Sequence, residues 1–376
     1  MSDRLQRLHD AGQSIWLDFI DRSMLAAGDL ARMTREDSIT GVTSNPTIFQ
    51  KALAEGNAYD EQLASLSPDL SPLQLFEQIA AEDVRRACDD LREVYDRTGG
   101  QDGFVSLEVS PTVATDTAAT VAEAGRLWAL VDRPNLLIKV PGTEEGAVAV
   151  RALIDAGISV NITLLFSVDA HRRVIEAYLE GLEARARRNE PIDRIASVAS
   201  FFVSRVDTEV DKRLGELMAT ASDDSSRAAL AALRGRTAVA NAKLAYRLFQ
   251  AMFRGARWEN LRTRGAMPQR PLWASTSTKN PAYRDVMYVE ELIGPETVNT
   301  MPPATVEAFR DHGEVRRTID VNVDEAVRTM QAIEDAGISM KDVTDKLLHD
   351  GLASFQKSFD DLLAGLEATR TRVATV

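Results

Sequence analysis

A single cysteine, Cys88, in a chain of 376 residues has no intrachain partner, so no disulfide can staple this fold. It sits in the amphipathic stretch LQLFEQIAAEDVRRACDDLREVY among small and apolar positions, which predicts core packing in a reducing compartment rather than a reactive thiol. No run of about 18 apolar residues occurs, which excludes a membrane-spanning helix. The N-terminus, MSDRLQRLHDAGQSIW, is polar where a secretion signal needs an apolar run. These absences predict a soluble, cytoplasmic protein with no membrane partner. Positive charge is also short. Lys and Arg number 44 against 57 Asp and Glu, a net of -13, so the chain lacks the basic surface that displaces counterions from nucleic acid. Any phosphate it binds is expected to be small and held locally. The four histidines, His9, His171, His312 and His349, lie far apart without metal-ligand spacing, and His171 reads as a surface or satisfied residue. Neither glycine-rich nucleotide motif occurs, nor does G-x-S-x-G. Neither a metal nor an organic cofactor is expected.

What the chain does have is a repeating alternation. Its composition, 44% hydrophobic with only 6% aromatic, suits a helix-rich α/β enzyme with a large core. Eight short apolar or β-branched runs recur: SIWLDFI, SITGVTS, GFVSLEVS, NLLIKVPG, SVNITLLF, IASVASFFVSRV, PLWASTS and ETVNTMP. Most are followed by an amphipathic segment, as parallel βαβ units require, and eight of them predict a closed (β/α)8 barrel, the TIM-barrel architecture. In GTEEGAVAVRALIDAGI, Ala147, Val150, Ala152 and Ile154 mark a helix face stopped by Gly157. In the next helix Val174, Tyr178 and Leu182 recur at four-residue spacing behind Ser167, a predicted N-cap. Extra helical sequence fills about 207–270, before the seventh strand, and about 321–370 at the C-terminus. Neither region is set off by a Pro/Gly/Ser-rich linker, so 1–376 is expected to be one barrel domain. A homo-oligomer is left open.

Lys139 is the strongest chemical signal. Alternation along NLLIKVPG places it with Leu137 on one face and Ile138 and Val140 on the other, and in a parallel barrel both faces are covered. A lysine there must be paired, neutral or used. Burial favours the neutral amine, which is the form that attacks a carbonyl. The bland alternative is a lysine that snorkels past the strand end or forms a simple ion pair. Its place near the carboxyl end of a barrel strand favours chemistry, because barrel active sites lie there. Polar residues occupy the other strand ends: Asp18, Asn45, Glu108, Asn161 and Thr163, Ser200 and Arg205, and Ser275. One such residue is an ordinary turn feature. Seven of eight strands carrying one supplies an inventory for imine chemistry on a phosphorylated polyol.

The segments TGVTSNPTIFQKAL, VSLEVSP, LLIKVPGTEEG, ISVNITLLFS, SFFVSRVD and LWASTSTKNPAY, in this order, closely resemble the signature segments of the transaldolase family from about residue 14 to 312. The longer bacterial branch, with helices inserted before the seventh strand, is most similar. The resemblance implies reversible transfer of a dihydroxyacetone unit between sugar phosphates in the pentose phosphate pathway. It assigns Lys139 the Schiff base and Asp18 the acid/base role at the substrate hydroxyl whose deprotonation drives carbon-carbon cleavage. Glu108 and Thr163 match the pair that holds a water and moves protons as the imine forms and hydrolyses. Asn45, Asn161 and Ser200 match groups that bind the dihydroxyacetone hydroxyls, and Arg205 and Ser275 match the phosphate site. Relatives that release dihydroxyacetone as aldolases carry a tyrosine where Phe202 stands, so phenylalanine fits transfer to an acceptor. Other branches place an arginine two residues after Ser275. Here that residue is Ser277, and the nearest cation is Lys279, a point charge without the arginine fork.

Two rival functions remain at this stage. A Schiff-base aldolase that releases its product would turn over without an acceptor aldehyde. A non-catalytic sugar-phosphate-binding barrel would keep Arg205 and Ser275 but has no use for Lys139 and Glu108 together.

Overall fold

The computed structural model describes residues 4–54 and 56–374. Eight strands close into one barrel in sequence order. They are β1 (Gln13–Leu17), β2 (Ile39–Thr43), β3 (Phe104–Glu108), β4 (Leu136–Pro141), β5 (Val160–Leu165), β6 (Ser197–Phe202), β7 (Arg270–Ala274) and β8 (Thr297–Met301). Every neighbouring pair is parallel, including β1 with β8. Each strand coincides with one of the eight apolar runs, β1 and β7 beginning one residue before theirs, and nearly all their residues are buried, as expected of strands covered on both faces.

The crossover helices begin and end where their sequences provide for it. Ser167 accepts the N–H of Ala170 and caps the helix Val168–Arg187. Gly157 closes the helix Glu144–Ala156 in the left-handed region, at φ 87. On that helix Ala147, Val150 and Ile154 are buried, but Ala152 faces solvent and Leu153 takes the core position instead. Tight packing also dictates Gly41, because a Cβ there would lie 2.5 Å from the Trp16 indole. Cys88 is fully buried, and burial pushes its thiol up.

His171 departs from the sequence expectation. It is fully buried beside Phe201, and neither ring nitrogen finds a hydrogen-bond partner among the described residues. Burial pushes it down to about 3, so it stays neutral at physiological pH. The 3.6-residue periodicity that marks a helix does not show that this position turns toward the barrel wall.

The added sequence before β7 forms four helices, Ser204–Thr220, Asp224–Ala231, Thr237–Met252 and Gly255–Arg262. After β8 come Pro303–His312, Val323–Asp335 and the long Met340–Ala374. This last helix crosses back to the barrel, and Gly351 meets Leu164 of β5 so closely that a Cβ would lie 2.9 Å from the leucine. Among the described residues, no helix is long and apolar enough to cross a membrane.

Candidate active site

Three strands place the reactive groups side by side. Glu108 pairs in register with Lys139, and Lys139 with Asn161, so the three occupy equivalent places on β3, β4 and β5. Lys139 is 5% exposed, its Nζ 2.9 Å from Glu108 Oε2 and donating to the carbonyl of Ser44 at 3.0 Å. The lysine that the sequence left paired, neutral or used is paired in this structure. The Glu108 contact is an ion pair by distance rather than an aligned hydrogen bond. Burial holds Glu108 above the usual carboxylate range, Lys139 opposes that shift, and the Asp18 charge adds to it. A carboxyl so raised beside an amine can pass a proton to it or take one from it.

Asp18 follows β1 directly. It is half-buried, with its open side on the cavity. Burial raises its carboxyl, and Lys139, a hydrogen bond from Thr43, Lys279 and Arg205 pull against that rise. Thr43 Oγ1 reaches Asp18 at 2.8 Å and Thr300 Oγ1 at 2.6 Å, which ties β1, β2 and β8 together at their carboxyl ends.

These groups surround a cavity of about 310 Å³. Of the residues singled out from sequence, Asp18, Asn45, Lys139, Thr163, Ser200, Phe202, Arg205, Ser275 and Lys279 line it. Glu108 and Asn161 lie behind this wall. Asn161 is fully buried, donates to Ser106 Oγ at 3.0 Å and accepts from Ser200 Oγ at 2.6 Å. Thr163 is also fully buried, and its hydroxyl has no partner among the described residues. An unpartnered hydroxyl lining a polar cavity can hold a water or a substrate oxygen.

The remaining placements refine the sequence expectation. Asn45 lies beyond β2, where its side-chain carbonyl accepts the N–H of Ile48 at 3.0 Å in the helix Pro46–Ala54. Arg205, expected at a strand end, belongs instead to the first turn of the helix Ser204–Thr220. Its guanidinium lies 5.2 Å from the Phe202 ring, and burial lowers its affinity for the proton. Ser275 takes the left-handed region at φ 56, a strained conformation for a serine. Leu164, beside Thr163, does the same at φ 59 where the β5–β6 register breaks. Lys279 donates to Ser277 Oγ at 2.8 Å, and burial lowers its affinity for the proton, with Arg205 adding to the effect.

Volume alone does not single out this cavity. One of about 320 Å³ lies between the helices Thr237–Met252 and Val323–Asp335, and one of about 460 Å³ lies near the amino ends of β3, β6 and β7. Of these three cavities, the one at the carboxyl ends alone joins a buried lysine to a carboxyl displaced from its ordinary range, Asp18 on its wall with Glu108 behind it, the combination that marks catalytic sites.

Similarity to known proteins agrees with the geometry. Residues 15–366 match the model of the Transaldolase/Fructose-6-phosphate aldolase family. The chain belongs to this family. It is 50% identical over 365 residues to a transaldolase of Thermobifida fusca, covering 96% of this chain and 97% of that one. It is 48% identical over 376 residues to transaldolase 2 of Streptomyces avermitilis, covering 100% and 99%. A transaldolase of Trichodesmium erythraeum is 44% identical over 370 residues, covering 98% and 97%.

For a family member of this kind, the sequence reading omitted several cavity residues. Thr43, Lys51 and Thr300 line the cavity, as does Phe355 of the C-terminal helix, whose ring lies 5.9 Å from Lys139 Nζ. Thr300 completes the ring of polar strand ends, since β8 was the one strand left without a candidate. Thr43 was legible beside Asn45 in GVTSNP. Phe355 carried no local signal, because its helix reads as an ordinary amphipathic one.

Proposed function

We infer that the protein is a transaldolase that moves a dihydroxyacetone unit from a ketose phosphate to an aldose phosphate in the pentose phosphate pathway, with Lys139 as the Schiff-base residue. The observation that carries this reading is Lys139 itself, buried at the carboxyl end of β4 with Glu108 at 2.9 Å and the cavity in front of it. Donors are sedoheptulose 7-phosphate or fructose 6-phosphate, and acceptors are glyceraldehyde 3-phosphate or erythrose 4-phosphate. The enzyme works in the cytoplasm.

In this reading the neutral amine attacks the ketose carbonyl, and a carbinolamine loses water to give a protonated imine. Glu108 exchanges the protons of these steps, and Thr163 holds the water. Asp18 accepts the proton of the hydroxyl on the far carbon of the bond to be broken, the carbon β to the imine, so that this oxygen becomes the aldehyde of the leaving aldose. That carbon-carbon bond cleaves, its electron pair enters the imine, and an enamine remains on Lys139 while the aldose phosphate leaves. The acceptor aldehyde then adds by the reverse path, and hydrolysis frees the lysine. Asn45 and Ser200 bind the dihydroxyacetone hydroxyls, and Asn161 supports Ser200 from behind. Arg205, Ser275 and Lys279 take the phosphate. Phe202 offers the enamine no hydroxyl, which favours transfer over release of dihydroxyacetone.

Borohydride reduction in the presence of a ketose phosphate, followed by peptide mapping, tests the assignment. The adduct is expected on Lys139, and Lys139→Met and Lys139→Arg should both fold and lose adduct and transfer activity together. An adduct on another lysine, or one that persists in Lys139→Met, sinks the reading.

A further inference from the structure

Arg205 and Lys279 stand on different elements, one on the helix Ser204–Thr220 and the other in the loop that follows β7. Their separation is therefore set by how that loop docks on that helix. The docking uses Ser275 of the cavity wall at one end and side chains outside the cavity at the other. At the near end of the loop, Ser275 Oγ meets Ser204 Oγ at 2.9 Å, and the Ser204 N–H donates to the Ser275 carbonyl at 3.0 Å. Beyond Lys279, the Tyr283 phenol donates to the carboxylate of Asp211, a buried residue on the helix that carries Arg205. The other Asp211 oxygen accepts the N–H of Gly235 at 3.0 Å. Gly235 has φ +69, and a Cβ there would lie 2.7 Å from Tyr283 Cζ, so the ring packs directly against the glycine. A second carboxylate of the helix, Asp207, accepts from Tyr288 at 2.9 Å and from the N–H of Ala238 at 2.7 Å. Lys279 thus sits in a loop tied to one helix on both sides of it.

We propose that the Tyr283–Asp211 pair is a positioning latch that holds Lys279 at the distance from Arg205 needed to grip the substrate phosphate. The inference rests on the reading of Arg205 and Lys279 as phosphate ligands. A lysine has a flexible stem and no planar fork, so its selectivity for phosphate depends on where its backbone is held. A loop fixed before substrate arrives avoids the entropy loss of ordering it on binding. Neither Tyr283 nor Asp211 lines the cavity, so neither can act by touching the reacting atoms.

The test compares kcat/KM for a ketose phosphate with that for the same ketose lacking its phosphate, in wild type, Tyr283→Phe, Lys279→Met and the double variant. Loss of a hydrogen bond to a carboxylate corresponds to at least ~10-fold in an equilibrium. Tyr283→Phe should lower the phosphorylated-to-unphosphorylated ratio about 10-fold through KM, with kcat and the unphosphorylated ketose little changed. The double variant should be no worse than Lys279→Met alone, because the latch acts only through the lysine. If Lys279→Met lowers the ratio and Tyr283→Phe does not, the latch is refuted and the phosphate site stands. An equal loss on both ketoses in Tyr283→Phe also refutes it, since that is the mark of general loosening. If Lys279→Met leaves the ratio unchanged, the phosphate reading falls and the latch falls with it. Should Tyr283→Phe fail to fold, Asp211→Asn keeps an acceptor for Gly235, weakens the phenol bond and carries the same test.

Discussion

The side chains of β1 and the residue that follows it involve two aspartates in opposite circumstances. Ser14 at its amino end and the indole of Trp16 reach Asp102, a buried aspartate that accepts from the Ser14 hydroxyl, from Trp16 Nε1 at 2.8 Å and from the Gly103 N–H at 3.1 Å. Arg270 at the start of β7 adds a cation at 3.7 Å from that carboxylate and donates to Ser14 Oγ at 2.8 Å and to the Gln101 carbonyl. Beyond the carboxyl end, Asp18 accepts from Thr43, its one side-chain hydrogen bond among the described residues, and faces an open cavity. Nearby, among the described residues, Thr163 Oγ1 has no hydrogen-bond partner and Glu108 Oε2 has only its ion pair with Lys139. A carboxylate surrounded by donors contributes stability and does no chemistry. One left short of donors is held at a free-energy cost that substrate or a proton can relieve, which is how barrels divide stability and catalysis between their two faces.

The most severe way to break this comparison within β1 is Asp18→Asn. The variant should still form the imine but cleave the carbon-carbon bond ~10²–10⁴-fold more slowly, the span of one positioned acid or base. Single-turnover assays that follow adduct formation and aldose release separately check this, and wild-type cleavage in the variant would remove Asp18 from the mechanism.

Asp102→Ala should do the reverse. It strips three donors of their shared acceptor and leaves Arg270 without its buried counter-charge, a loss of about 3 kcal/mol of stability. Activity per folded molecule should stay within about twofold of wild type. Denaturant unfolding alongside active-site titration measures both, and a catalytic defect larger than the stability defect would erase the contrast between the two ends.

The smallest effect sharpens the contrast through pH. The folded Asp18 carboxyl titrates above its unfolded value of 3.8 because burial raises it. The folded state therefore holds this proton through the window between the ordinary and the raised value. The resulting stability is fully present below the unfolded value and is lost as pH rises through the raised one. Asp18→Asn escapes that loss, so at pH 8 it should be more stable than wild type, and the gap should close on acidification toward pH 4. A variant less stable than wild type at pH 8 would show that Asp18 contributes to the fold in the manner of Asp102.

Much of the site was legible because strands obey a period of two and barrel chemistry collects at their carboxyl ends. That logic places Asp18, Glu108, Lys139 and Thr163 without coordinates, and a ring of similar strand ends leads to Asn45, Ser200 and Ser275. It stops where side chains meet across elements. Nothing local in NLLIKVPG shows that Glu108 of β3 stands beside Lys139, and nothing in the C-terminal helix shows that Phe355 overlies it. His171 illustrates the same limit, since a helical period gives a face but not what that face meets. The ties of Asp211 to Tyr283 and Gly235 join three segments whose spacing in the chain has no period at all.

The sequence by itself determined the eight strands, their order, the caps at Ser167 and Gly157, and the chemical kind of most strand ends, though not of β8. These follow from alternation, propensity and turn chemistry, which act between near neighbours along the chain. The tertiary structure alone decided which polar groups are satisfied and which are left short, as in Asp102 with its several donors and Asp18 with Thr43. Burial and hydrogen-bond partnership are properties of the closed barrel, and only closure brings β8 beside β1 and the last helix over β5.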